Sequence, residues 1–586
     1  MDKPRFLLAI VLCLAVLLLW NYLFPAPRRL SPPLPVASRP GTTSAPAAAA
    51  SPDAAPTASA PGLRSTLEGP SEDVLLETAE LRIVLSGTGA VAKEARLRRF
   101  YADAAAERNP SEKPEDWLSI LRAPGGGSAT FGLRDHAGSL GLELDRAPWA
   151  FVPLSADGAL LARCPLSNGL TFEKEFRPGK APFTVEVVLR VANEDRAAVG
   201  RDLLLSFSPA SSIFPYGDSF YADPVAVAAL KEGYSLKAKQ IVAKPDGGKE
   251  PRPFPAGEVL WAGSMNKYFA VLARPLAPSR FVFARALPLL DPEAPPARPW
   301  RLLAPECGLS FHVNPPGEVE EKRIEIYLGP KRPADLREAE PTYREVHSLD
   351  YGVFGWVSRI VLWILGLFHS ITASWGASIM LLTCLVRSML FPLNRHQQVS
   401  MARFSEKQRR LQPQLDELKR RFKNDFRKFN EAQGRLYKEH GLRPPFLGCM
   451  LMFVQLPVWY GLFSALRVSF DLRHAPFLWI EDLSQPDRTL AFGFALPWPL
   501  RWTHLNVLPL SMMVVWWLQQ RMAPKPADPQ MAAQMRVVQY LPFLFGFMFY
   551  TYPAGLSLYW LVSSSLGILE SKIIRRQTGL AVRPTS

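Results

Sequence analysis

The chain has 586 residues and a formal net charge of +15, long enough for about four units of ~150 residues. Its mean hydropathy of +0.01 fits neither a soluble enzyme nor a dense membrane bundle, so the chain must be read in pieces. The five cysteines show no CxxC and no paired spacing, which excludes a disulfide scaffold and a zinc ribbon. The positive charge raises nucleic-acid binding, a reading that weakens where the basic residues flank membrane spans.

Residues 7–24 are almost wholly apolar and follow Lys3 and Arg5. Such a run approaches the ~20 residues that cross a bilayer and exceeds the ~7–15 of a cleaved signal core. Phe24-Pro25-Ala26 is a poor cleavage site, and Leu12 before Cys13 argues against a lipoprotein signal, so residues 1–24 are expected to stay as an anchor. Residues 25–70 hold 11 Pro and 11 Ala; they bury too little to fold and read as an extended linker.

From residue 71 to 332 the pattern is β. Alternating runs recur, among them Leu81-Arg82-Ile83-Val84-Leu85, Thr184-Val185-Glu186-Val187-Val188-Leu189 and Arg323-Ile324-Glu325-Ile326-Tyr327, separated by Gly, Pro, Asp and Asn clusters. Many short strands with turn punctuation predict an antiparallel β-sandwich. No catalytic constellation stands out: His136 and His312 are isolated in sequence and read as structural or surface residues. Cys164 and Cys307 could pair in an oxidising compartment, but sequence does not bring them together.

Residues 333–374 connect this domain to a membrane bundle. Four later stretches are apolar enough to span, 375–393, 446–470, 505–518 and 537–574; the last is too long for one crossing and breaks at Tyr552-Pro553-Ala554-Gly555 into a hairpin. That makes five core spans, six with the anchor. Residues 354–373, with Arg359, His369, Trp356 and Trp363, read as an amphipathic helix on the membrane surface. The segment 396–445 holds 13 Lys/Arg against 6 Asp/Glu, and Lys572, Arg575 and Arg576 follow the last span. Basic loops mark the cytoplasmic side, so both termini are expected inside and residues 25–374 outside. Leu411, Leu415, Leu418 and Phe422, then Phe426, Phe429, Gln433 and Leu436, predict a helical hairpin broken at Lys423-Asn424-Asp425. Such a hairpin is either a solvated charged element or a docking surface for ribosomes, nascent chains or targeting factors.

The informative residue is Arg387, in the second span 375–395. An arginine at that depth normally faces protein or a water-filled cavity, unless it snorkels to the inner headgroups. Thr383 lies one helical turn earlier on the same face. Gln455, Gln519 or Gln520, and Ser563 to Ser565 occur at comparable depth; each is an ordinary helix-packing hydrogen-bonder, and together they could line a polar groove.

The stretch Leu385-Val386-Arg387-Ser388-Met389-Leu390-Phe391-Pro392-Leu393 resembles a signature of YidC-type insertases, the bacterial relatives of the Oxa and Alb proteins. So do Gln412-Pro413, Phe453-Val454-Gln455-Leu456-Pro457-Val458, Asp471-Leu472-Arg473-His474-Ala475-Pro476-Phe477 and Tyr552-Pro553-Ala554-Gly555-Leu556-Ser557-Leu558-Tyr559-Trp560. Leu76-Glu77-Thr78, Asn266-Lys267-Tyr268-Phe269-Ala270 and Tyr327-Leu328-Gly329-Pro330 resemble the periplasmic domain of Gram-negative members. The resemblance implies a multi-pass α-helical protein of the bacterial inner membrane that inserts and folds nascent membrane proteins, alone or beside the Sec translocon. Its five core spans would enclose a positively charged groove open to cytoplasm and lipid. The family's groove arginine falls on Arg387, its threonine on Thr383, and a groove tyrosine pair on Tyr559 and Trp560. The tryptophan is a departure, as is Ser564 where asparagine is common. The C-terminal tail, 575–586, lacks the long basic extension some members use for ribosomes.

With Gln455 and Gln520, these residues make the candidate substrate groove. The expected partners are nascent membrane proteins, the Sec translocon, ribosome or signal-recognition components at 396–445, and lipid, with no nucleic-acid sequence read. No catalytic residue, cofactor or metal is called for, and no GxxxxGK[ST] nucleotide loop occurs. A small-molecule transporter would also carry a mid-membrane arginine but usually shows internally similar halves, which are absent here. An intramembrane serine protease using Ser378 and His504 has nothing to fix the histidine near the serine.

Overall fold

The computed structural model describes residues 65–578, apart from 68, 70–71, 103, 123–129, 137–143, 155–157, 195–199, 211–224, 233–234, 242–258, 291–300, 423–424, 442–445, 493–503 and 523–539. The expected anchor, nearly all of the linker and most of the C-terminal tail lie outside the described residues.

The β region is built of antiparallel sheets. A nine-stranded sheet runs, edge to edge, Ser235–Ile241, Val225–Glu232, Val259–Met265, Phe269–Pro275, Val319–Pro330, Thr184–Asn193, Leu170–Pro178, Leu160–Pro165 and Ala150–Pro153. One four-stranded sheet holds Val74–Glu77, Leu81–Ser86, Val91–Tyr101 and Trp117–Arg122; another holds Ala284–Leu290, Arg301–His312, Asp202–Ser208 and Gly132–Asp135. The three share one continuous apolar core. The alternation along the strands explains it. In Thr184–Asn193, Val185, Val187, Leu189 and Val191 point into the core, as a period of two requires. On the opposite face Arg190 bridges two neighbouring strands, 2.7 Å from Glu175 and 2.8 Å from Glu321, so the outer face carries a cross-strand ion-pair ladder. Cys164 and Cys307 are separate, buried free thiols, and no pairing joins them. His136 bonds Ser206, and His312 bonds Asp202.

Lys174 is fully buried inside this core. Its Nζ donates to the carbonyls of Gly89, Ala90 and Phe131 at 2.7, 3.2 and 2.8 Å and lies over the Trp149 ring. Burial pushes the ammonium down to about 7, and the three carbonyls replace its lost water. The turn it holds needs glycine: Gly89 has φ +76°, and a Cβ there would lie 2.1 Å from the Asp145 carbonyl oxygen.

The helical region begins with α1 (Gly355–Thr372) and α2 (Trp375–Arg410). The α2 helix continues well past the end of the apolar run at 393. At ~1.5 Å per residue its length is about 54 Å, so the first arm of the basic segment is part of the same rod. It is followed by α3 (Gln412–Arg421) and α4 (Phe426–Glu439). Asp425 caps α4 by accepting from the Lys428 backbone N–H, and Leu411, Leu415 and Phe429 are buried between the arms. Next come α5 (Phe446–Val468), α6 (Val507–Met522), α7 (Leu541–Met548) and α8 (Ala554–Thr578). Among the described residues, α1 and α2 are long and apolar enough to cross a membrane by themselves. The outward face of α1 is apolar: Trp356, Ile360, Trp363, Leu367 and Ile371 are exposed, while Ser358 packs inward on Gly461 and Ser464 of α5.

The β region is docked on the segment between α5 and α6. Phe470 meets the rings of Phe100, Phe269 and Tyr268 edge-on at 6.0, 5.7 and 6.1 Å, with the Arg332 guanidinium over it. Buried Arg473 donates to the Tyr101 carbonyl and pairs with Glu107 at 3.3 Å; His474 bonds the same carboxylate. Burial alone raises the Glu107 carboxyl, but His474, Arg473 and Arg332 outweigh it and hold the group below its ordinary 4.5. Lys267 donates to the Ser484 carbonyl at 3.2 Å, and Lys331 pairs with Asp350 at 2.8 Å.

Two outcomes follow. Lys174→Met leaves three buried carbonyls unpaired and should cost about 3 kcal/mol, read as a lower melting temperature of the full chain in detergent. A depressed carboxylate contributes stability above its unfolded pKa and loses it as pH falls through the folded value. The gap in melting temperature between wild type and Glu107→Gln should therefore be present at about pH 5 and close as pH falls below 4.5.

Candidate functional site

Three helices form the site. The start of α2 is fixed locally: Ser374 caps it by accepting from the Ala377 N–H, and a Cβ at Gly376 would lie 2.1 Å from the Phe477 ring, so the loop after α5 sits directly on the helix. Three turns further along, Arg387 reaches across to α8. Its Nε donates to Ser563 Oγ at 2.9 Å, and its Nη1 lies 3.5 Å from Glu570 Oε2. A Cβ at Gly567 would come within 3.3 Å of Arg387 Nη1 and 3.4 Å of Gln519 Nε2. The guanidinium, the α6 amide and the α8 backbone thus meet at one point. Ser563, Gly567 and Glu570 fall at i, i+4 and i+7, one face of α8.

The expected residues divide. Tyr559 is buried beside Arg387 and Ser563 and belongs to the cluster. Thr383 shares the face of Arg387 but is fully buried, and its hydroxyl bonds back to the Ile379 carbonyl at 2.6 Å, a local helix contact. Trp560 turns the other way, with its ring 4.0 Å from Phe549 and 6.2 Å from Trp516. Ser564 accepts from the Trp516 indole N–H at 2.6 Å. This pair ties α6 to α8 behind the arginine. Gln455 is half-buried on α5. Of the two adjacent glutamines on α6, Gln519 approaches the arginine, whereas Gln520 lies half-buried on the same helix.

The sequence reading missed Glu570. The cluster is an ion pair set among hydroxyls and an amide, not a bare cation. The only signal available was an acidic residue seven positions after Ser563, one turn before the basic end of the last helix. The outward face of α2 is apolar: Leu381, Leu385 and Met389 are exposed at i, i+4 and i+8. So are Val514 and Leu518 on α6, Leu544 and Phe547 on α7, and Leu569 and Ile573 on α8. A belt of exposed apolar side chains backed by a buried polar cluster suits lipid outside and protein or water within.

Comparison with known proteins fits this layout. Residues 73–364 match the family model described as the YidC periplasmic domain, and residues 367–580 match the 60Kd inner membrane protein model. A membrane protein insertase YidC of Shewanella amazonensis is 32% identical over 72% of this chain and 71% of its own length. The chain belongs to the YidC family of bacterial inner-membrane insertases. The YidC of Francisella philomiragia is 28% identical, over 70% of this chain and 68% of its own. A crystal structure of an active YidC insertase with its first transmembrane domain resolved covers 87% of this chain and 94% of its own, with 14% identity and a TM-score of 0.31. The membership rests on the family models and the sequence relatives. The two matched ranges end and begin between residues 364 and 367, within α1.

Ser564→Ala should separate packing from function. It leaves the Trp516 N–H unpaired and should cost about 1 kcal/mol of stability, seen as a lower melting temperature, while insertion of a client protein into liposomes stays near the wild-type level.

Proposed function

We propose that the chain inserts and folds nascent inner-membrane proteins through a polar groove centred on Arg387, open to the cytoplasm and to lipid. The observation that carries this reading is Arg387 itself. It is held in a helix long and apolar enough to span, against the polar face of α8, while the opposite face of α2 is apolar and exposed. The arginine attracts the polar, often acidic tail of an incoming chain, and the groove shortens the apolar barrier the tail must cross. The client's apolar segment then slides along the exposed faces of the helices and partitions by its own transfer free energy. The short helices α6 and α7 thin the bilayer locally at modest cost. The membrane potential assists an acidic tail moving outward by ~2.3 kcal/mol per charge per 100 mV. In this reading Tyr559 stands nearest the charge and Gln455 and Gln520 line the groove, while Thr383, Trp560 and Ser564, expected there too, brace the helices behind it.

The same reading includes six spans, five of them in the core, with both termini in the cytoplasm and residues 25–374 in the periplasm. The basic hairpin of α3 and α4 serves as a contact for ribosomes or signal-recognition components, and the protein works alone or beside the Sec translocon. The charge excess of 396–445 and the positive-inside rule support this placement.

The test uses liposomes containing only the purified protein and a short single-span client, with protease protection as the readout. Arg387→Ala and Arg387→Glu are expected to reduce protection of acidic-tailed clients on the order of tenfold, as the loss of a contact worth ~1.4 kcal/mol requires. Unchanged insertion of every client by both variants removes Arg387 from the mechanism.

A further inference from the structure

Arg387 is not presented alone. Its Nη1 is 3.5 Å from Glu570 Oε2, and Glu570 is only 8% exposed, so this carboxylate is not a solvated surface group. Asn394 lies against the same carboxylate, seven residues after Arg387 on α2 and therefore on the same helix face. The α2 helix thus offers Glu570 a guanidinium and an amide from one side. On α8, Ser563 engages Arg387 Nε, and Gly567 leaves the space the guanidinium needs. The contacts are unequal. Ser563 holds Nε in a hydrogen bond of ordinary length, while the Glu570 contact on Nη1 is longer than a normal hydrogen bond, and Oε2 has no hydrogen-bond partner.

The formal charge of the arginine and glutamate together is zero. A neutral pair costs less to bury than a lone arginine, and its field falls off faster with distance. Arg387 thus has a second partner in Ser563, and Glu570 a second partner in Asn394.

We infer that Glu570 is the specificity-setting partner of Arg387: an internal carboxylate that occupies the guanidinium edge until an acidic group of the client takes it. This inference rests on the reading of Arg387 as the client-receiving group. Capture is then an exchange of one carboxylate for another on Nη1, with Ser563 holding the arginine throughout. Glu570 lowers the attraction of the site for acidic tails and so limits how strongly they are preferred over neutral ones. It also favours release, since it competes for the same donor.

The experiment reads the ratio of insertion for two clients that differ only in the tail, one carrying three acidic residues and the other their amides. The full chain is reconstituted in liposomes as wild type, Glu570→Gln, Glu570→Asp, Arg387→Gln and the Arg387→Gln/Glu570→Gln double variant. Glu570→Gln should raise the acidic-to-neutral ratio by about three- to tenfold. Glu570→Asp should return it toward wild type, and the glutamate change should have no effect on the ratio in the Arg387→Gln background. If Glu570→Gln leaves the ratio unchanged, or lowers both clients alike, while Arg387→Gln abolishes the acidic preference, Glu570 is a structural ion pair and the inference falls with the groove reading intact. If Arg387→Gln matches wild type on both clients, the groove reading itself falls, and this inference with it.

Discussion

Removing a cation from water costs several kcal/mol unless oxygens replace the lost hydration, and this constraint acts at several junctions among the described residues. Lys174 joins the nine-stranded sheet to the turn at Gly89 through three carbonyls. Lys267, Lys331 and Arg473 join the β region to the segments before and within the helices, each on a carbonyl or a carboxylate. Arg387 joins α2 to α8 by the same rule. Apolar burial holds the sheets together without direction, whereas the cations fix which surfaces meet and in what register. Losing one is therefore expected to loosen a particular junction and leave the separate parts folded.

The docking of the β region matters for the membrane part because it acts on the loop that seats α2. Phe470 and Arg473 are held by the β region, and four residues beyond Arg473 the Phe477 ring rests on Gly376 at the start of α2. Arg387 lies three turns along that rod. A short, continuous set of packed side chains therefore connects the outer domain to the helix that carries the arginine. The connection is spatial: it fixes where the start of α2 is seated.

Much of this was legible in the sequence because the signals are local. Alternation in 184–189 gave a strand and its buried face, since a strand reverses side every residue. The helical spacing of Leu411, Leu415, Leu418 and Phe422, then of Phe426, Phe429, Gln433 and Leu436, predicted the two arms, and Lys423-Asn424-Asp425 the break between them. An arginine inside an apolar run stood out because the run is otherwise uncharged. What stayed hidden depends on packing between distant segments. Trp560 and Ser564 share a helix with Tyr559, yet a 100° turn per residue takes Trp560 off its face, and no hydropathy pattern says which side meets α6. Thr383 sits on the right face but spends its hydroxyl on its own backbone. The full length of α2 was not legible for a different reason: apolarity ends at 393, but helical hydrogen bonding does not depend on apolarity, and the polar residues that follow are adequate helix formers.

Glu570 is the sharpest case. Read along the chain, it is an acidic residue one turn before Ile574, Arg575 and Arg576, where a charge at the end of a span needs no explanation. Its meaning comes from α2, far earlier in sequence, which brings Arg387 and Asn394 to the same carboxylate. An isolated arginine in a span invites the reading of a bare positive site. Once its partner is seen, the site is a pair of opposite charges held between two helices and not a bare cation.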